Sequence, residues 1–151
     1  MKIAQRQLAG ALKSGLAQAY LIAGDEPLLV DEALAAVRDA AAAAGFAERE
    51  LHVVERGFKW GDLETRADNL SLFASRRLIE LRLSSARLGD AGSKAIRALI
   101  EDVDPDRLLL IGMHARIDSA TARLAWVKAL EANGVRVEAW PIERQELPRA
   151  L

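Results

Sequence analysis

The chain has 151 residues, 51% of them hydrophobic and 28% charged, which is a globular rather than a disordered composition. Its 21 basic and 22 acidic residues leave a net charge of −1, arguing against a dedicated nucleic-acid or membrane-surface binder while leaving a local basic patch open. Cysteine is absent, which excludes a disulfide framework, a thiolate metal site and a cysteine nucleophile.

No apolar run approaches the roughly 20 residues of a membrane span. Met1 to Leu8 lacks the apolar stretch of a signal peptide, so cytoplasm is the expected compartment. The first predicted element is a helix from Ala4 to Lys13, with Leu8 and Leu12 on one face and Gly15 as its stop. Ala19 to Ala23 is a short continuous apolar run ending at Gly24, the pattern of a strand buried on both faces. Pro27 suits the first turn of a long helix reaching about Ala44, with Leu29, Ala33, Ala36 and Val37 as its buried stripe.

The alternation continues along the chain. Leu51 to Val54 is a strand, followed by a short helix near Trp60 to Asn69. Arg77 to Leu83 is a strand, followed by a helix near Gly92 to Glu101. Leu108 to Met113 is the most hydrophobic strand, and a helix from about Ser119 to Ala132 follows it. Asn133 and Gly134 close that helix ahead of a last strand, Val135 to Ala139. Such alternation predicts a three-layer α/β domain: a mostly parallel five-stranded sheet with helices on both faces. That domain takes residues 1–140. Residues 141–151 turn polar and irregular, and Leu147-Pro148-Arg149 resembles a new helix start, so the expectation is a chain entering another domain.

In a doubly wound sheet, the turn after the first buried strand is the first place to seek a phosphate site. Here it reads Gly24-Asp25-Glu26-Pro27-Leu28-Leu29-Val30-Asp31. A phosphate-binding loop starting at Gly24 needs glycine, lysine and a hydroxyl residue at 29, 30 and 31, and finds Leu29, Val30 and Asp31. Pro27 has no backbone donor, and Asp25 and Glu26 put negative charge where a phosphate would sit. No nucleotide, other cofactor or metal is expected. Glu80, within a strand, imitates a magnesium-binding carboxylate but reads as a solvated strand position. His52 and His114 lie on separate elements and read as surface or partly packed side chains rather than ligands. Ser84-Ser85 reads as turn chemistry without a nucleophile elbow. The sequence carries no convincing catalytic site.

Residues 69–77, Asn-Leu-Ser-Leu-Phe-Ala-Ser-Arg-Arg, stand apart, because Leu70, Leu72 and Phe73 crowd a connection where most loops are polar. Two readings compete. Either the leucines tuck under the sheet and Phe73 caps the core, or the three side chains project as an anchor for a partner's pocket. Arg76 and Arg77 either flank the strand facing solvent or add electrostatic steering.

The run Tyr20-Leu21-Ile22-Ala23-Gly24-Asp25-Glu26-Pro27-Leu28-Leu29, with Glu32 to Arg38, resembles the first strand, turn and helix of delta subunits of the bacterial DNA polymerase III clamp loader. Ser71-Leu72-Phe73-Ala74-Ser75-Arg76 resembles their clamp-binding tip. Leu108 to Ile111, Ala125-Trp126 with Ala129-Leu130, and Gln145 to Arg149 extend the match in order. The resemblance implies an AAA+-like domain without a functional phosphate loop and with no catalytic site of its own, in a family that belongs to the polymerase holoenzyme. It also implies that the sequence is a piece of a longer protein with lid and collar domains.

The clamp-binding tip falls on Leu70, Leu72 and Phe73, the family varying at the position of Leu70. The implied partners are the sliding clamp (beta subunit) and, for the full-length protein, the gamma/tau and delta-prime subunits; contact with DNA stays open and no membrane is implied. Two rival readings remain: a structural scaffold contacting only sister subunits, and a small α/β enzyme with a site near Gly24, Ser84 and His114.

Overall fold

The computed structural model of the chain describes residues 1–61, 63 and 76–139. Strands β1 (Lys2–Ala4), β2 (Ala19–Ala23), β3 (Glu48–Val54), β4 (Arg77–Leu83), β5 (Arg107–Met113) and β6 (Val135–Glu138) form one sheet in the order β1-β6-β2-β5-β4-β3. Every pairing is parallel. Parallel pairing forces each connection to cross from one end of the sheet to the other, so helices cover the faces. The described helices are α1 (Leu8–Ser14), α2 (Pro27–Ala43), α3 (Gly89–Glu101), α4 (Ser119–Ala122) and α5 (Ala125–Asn133).

Strand alternation divides the core in two. Leu21, Ile79, Leu81, Leu109 and Ile111 pack with Ile96 of α3 and with Trp126, Val127 and Leu130 of α5. Tyr20, Ile22, Leu78, Leu108 and Leu110 pack on the other side with Val30, Leu34 and Val37 of α2. The Trp126 indole N–H donates to the Ala86 carbonyl at 2.9 Å, so the buried aromatic keeps its polar group satisfied.

The sheet has six strands rather than the five expected. The addition is β1, which overlaps the helix expected from Ala4 to Lys13 only at Ala4; a 3-10 turn (Gln5–Gln7) follows it and the helix begins at Leu8. A three-residue edge strand carries no alternation long enough to read. Its evidence is tertiary: Lys2, Ile3 and Ala4 pair with Arg136, Val137 and Glu138.

The helix expected from Ser119 to Ala132 is two, separated at Leu124, whose backbone is extended (φ −62°, ψ 140°). Asp118 caps the first of them through its side chain. Gly134 does end the second, for a packing reason. A Cβ there would lie 2.3 Å from the Ala19 carbonyl oxygen, so only glycine allows β6 to approach β2 this closely.

Candidate functional site

The carboxyl ends of the strands are the first candidate. Gly24 follows β2 and donates its N–H to the Met113 carbonyl at 3.4 Å. A Cβ at Gly24 would stand 2.3 Å from the Ala139 carbonyl oxygen, so its lack of a side chain is used for strand contact. Pro27 occupies the first turn of α2, Glu26 is the N-cap residue, and the Glu26 carbonyl accepts from Val30 N–H at 3.1 Å. Acidic groups around the turn have side-chain partners: Asp25 lies 3.9 Å from Arg116, and Asp31 lies 3.0 Å from His114 Nε2. The turn thus presents carboxylates and a proline where a phosphate cradle needs donors.

The three residues of the enzyme reading are not gathered. His114 is half-exposed and engaged with Asp31. The Ser84 hydroxyl donates to the Val54 carbonyl at 3.3 Å, and Ser85 Oγ accepts from Arg87 N–H at 3.2 Å, which is turn chemistry as expected. A cavity of about 440 Å³ opens beside Ser84, among Val54, Phe58, Trp60 and Leu88, but neither Gly24 nor His114 lines it. Among the described residues no group of three His, Asp or Glu side chains converges to hold a metal ion. His52 is partly packed, edge-on to the Phe58 ring at 6.0 Å.

The second candidate is the connection between β3 and β4. Leu70, Leu72 and Phe73 lie outside the described residues, as does most of the helix expected from Trp60 to Asn69. What is described is how the connection is held. Trp60, Gly61 and Leu63 are helical, and Leu63 is fully buried in the core beneath α3 and α5. Trp60 packs so closely on α3 that a Cβ at Gly92 would come within 2.8 Å of its ring.

At the other end, Arg76 is clamped to the body of the domain. Its Nη1 donates to the Ala44 carbonyl at 2.9 Å, its Nε lies 3.5 Å from Asp106, and its guanidinium stacks 5.6 Å from the Phe46 centroid. Arg77 departs from expectation: it is buried, not solvent-facing. As the first residue of an interior strand it lies between Glu48 and Arg107, and Nε and Nη1 of its guanidinium meet no hydrogen-bonding partner. Screened from water, it is unsuited to steering a partner.

Glu80 corrects a further expectation. It is fully buried rather than solvated, and three arginines hold it. Arg49 Nε and Arg82 Nε donate to its two oxygens at 3.0 and 2.9 Å, and Arg38 Nη1 reaches both at 3.4 and 3.3 Å. A carboxylate saturated by guanidinium groups has no oxygen face left for a metal. The available sequence signal was the two-residue spacing of Glu80 and Arg82, which puts both on one strand face.

A family model for the delta subunit of DNA polymerase III matches residues 20–140. The chain belongs to that family. It is 33% identical over 149 residues to DNA polymerase III subunit delta of Escherichia coli (strain K12), covering 99% of this chain and 43% of the relative. The subunit delta of Haemophilus influenzae is 26% identical over 151 residues, with 98% and 43% covered. The chain therefore spans less than half the length of these curated relatives.

Among solved structures it resembles the DNA clamp loader delta protein of Bacillus subtilis (TM-score 0.63, 17% identity, 89% of this chain and 42% of that one). It also resembles a DNA polymerase III gamma subunit-related protein of Thermotoga maritima (TM-score 0.59, 14% identity, 97% and 49%). At these identities the likeness is one of fold: the delta-family chain has the AAA+-like architecture of clamp-loader domains. No helix among the described residues is long and apolar enough to cross a membrane.

Proposed function

We propose that this delta-family domain binds the sliding clamp through Leu70, Leu72 and Phe73 and, within the full-length clamp loader, biases the ring toward its open form. The observation that carries the reading is the family match over residues 20–140, which spans the apolar tip sequence. The described scaffold is consistent with a projecting tip. The described residues at the two ends of the connection are held, Leu63 by burial in the core and Arg76 by its bond to the Ala44 carbonyl. Phe73 precedes Arg77 by four residues, a reach of at most about 14 Å from the amino end of β4. The amino end of β4 lies at the opposite end of the parallel strands from the turn at Gly24.

Burial of Leu72 and Phe73 in an apolar pocket contributes roughly 1.5–3 kcal/mol each. Ring opening needs more than affinity, because a ligand that binds both states equally shifts neither. Trp60, packed closely on α3, offers a support for such a bias. The domain acts here as a binding module and not as a catalyst, and it associates with the other clamp-loader subunits in the full-length protein.

A titration of the domain against purified clamp tests the site. Leu72→Ala with Phe73→Ala should abolish binding and leave the circular dichroism spectrum and melting temperature close to wild type. Wild-type affinity in the double variant would sink the proposed tip, and unfolding would assign the two side chains to the core.

A further inference from the structure

A parallel sheet is stable when helices cover both of its faces. On the face packed by α3 and α5, β3 and β4 are covered, and Val54, Ile79, Leu81 and Leu83 all belong to the core. On the opposite face α1 and α2 bury residues of β2, β5 and β6. There, among the described residues, β4 contributes only Leu78 to the core and β3 contributes nothing. Leu51 and Val53 are the register partners of Glu80 and Arg82, and Glu80 bonds to Arg38 of α2, so both side chains lie on this second face. They are 45% and 56% exposed. Helix α2 stops over β5, where Leu34 packs against Gly112, and the sheet beyond it is open.

The open face is charged as well as apolar. Arg38 of α2, Arg49 of β3 and Arg82 of β4, all partly exposed, converge on the buried carboxylate of Glu80. One negative charge answers three positive ones, so two remain uncompensated. None of the three arginines has a nitrogen that is both buried and unpartnered, so the donors Glu80 does not use face solvent. Glu80 also fixes the three guanidinium groups in place, and polar groups held in position in advance lose little freedom on binding.

We infer that this open face is a docking surface for an acidic amphipathic helix of another protein, which completes the helical layer over β3 and β4. Leu51, Val53 and the three arginines share one side of the sheet, and a helix can present apolar and acidic side chains together on one side. Successive same-face residues of β3 are about 6.6 Å apart, and positions i and i+4 of a helix are about 6 Å apart. A helix running along β3 thus sets two apolar side chains over Leu51 and Val53. Carboxylates at i−3, i+1 and i+8 fall together on one flank of that stripe, where they meet the arginines. A nucleic-acid backbone would use the arginines but leave the two apolar side chains uncovered. The surface is separate from the tip at residues 70–73 and does not depend on it.

The test uses a capped, fluorescein-labelled, alanine-based peptide of about fifteen residues, a length that supports helix. It carries leucine at i and i+4 and glutamate at i−3, i+1 and i+8, and binding is read by anisotropy and by methyl NMR. The expected result is saturable binding that weakens as salt is raised and moves the methyl resonances of Leu51 and Val53, but not those of exposed Leu28 on α2. Leu51→Thr with Val53→Thr keeps strand-forming side chains and removes the apolar contact, so it should weaken binding at least about ten-fold. Arg49→Ala should weaken it to a similar degree while Arg38 and Arg82 still hold Glu80. If the double variant does not fold, Leu51→Thr alone replaces it with a loss in the same direction. The inference is overturned by absence of binding, or by equal binding of a peptide with lysine for glutamate or with its glutamates opposite the leucines. It is overturned equally by a duplex DNA oligonucleotide that moves the same methyls at lower concentration, or by sedimentation showing a dimer of the chain that Leu51→Thr with Val53→Thr dissociates.

Discussion

Glu80 lies in the middle of β4 with no exposed surface, and its two oxygens take hydrogen bonds from three separate elements. Replacing it with glutamine keeps the shape, halves the acceptor capacity and leaves three guanidinium groups repelling one another. Because those arginines are partly exposed, water recovers some of the loss, and the cost falls below that of a fully buried broken pair. Glu80→Gln should therefore destabilise the domain by about 1–3 kcal/mol, read as a lower urea midpoint at unchanged slope. Glycines make a sharper comparison. At Gly24 a methyl group would run into the Ala139 carbonyl, backbone that cannot step aside, whereas Gly10 in α1 has nothing within 4 Å. Gly24→Ala should cost about 1–3 kcal/mol while Gly10→Ala adds roughly 0.5–1 kcal/mol, as two melting curves would reveal.

At the level of elements, β5 was legible because Leu108 to Met113 is an uninterrupted apolar run, as a strand covered on both faces requires. α2 was legible from Pro27 and its 3.6-residue stripe. The break at Leu124 was not, since neither glycine nor proline marks it and only an extended backbone separates the two helices. Arg77 was misread for a related reason: a charged residue at a strand end reads as surface, and its burial depends on neighbours far away in sequence. The tip at Leu70, Leu72 and Phe73 stood out by pattern, but pattern alone left core and interface both open. The ordered family motifs are what favoured the second.

Asp118 is the helix cap whose chemistry titrates. Its Oδ1 accepts the Thr121 N–H at 2.7 Å, and that backbone bond, aided by the Thr121 side chain, holds its carboxyl below the ordinary value of 3.8. A depressed folded value means the cap's contribution is complete above the unfolded value and drains away as pH falls through the folded one. The melting-temperature gap between wild type and Asp118→Ala should thus be open near about pH 6 and close as the pH drops below roughly 3.8.

For the whole molecule, the nucleotide question reduces to mass action. A ligand that binds the folded state raises the melting temperature with its concentration. The turn at Gly24 offers a proline, paired carboxylates and no lysine, so millimolar ATP with magnesium should move the melting temperature by less than about 1 °C in a thermal scan.

The pairing of β1 with β6 also sets a timetable. Lys2 hydrogen-bonds within a ladder whose partner, Arg136, is made more than a hundred residues later, and β2 likewise waits for β5 and β6 on either side. At ordinary rates of synthesis that delay is on the order of ten seconds. The earliest segments to leave a ribosome are therefore among the last to find their places, and the nascent apolar stretch from Ala19 to Ala23 travels unpaired until nearly the whole domain has emerged.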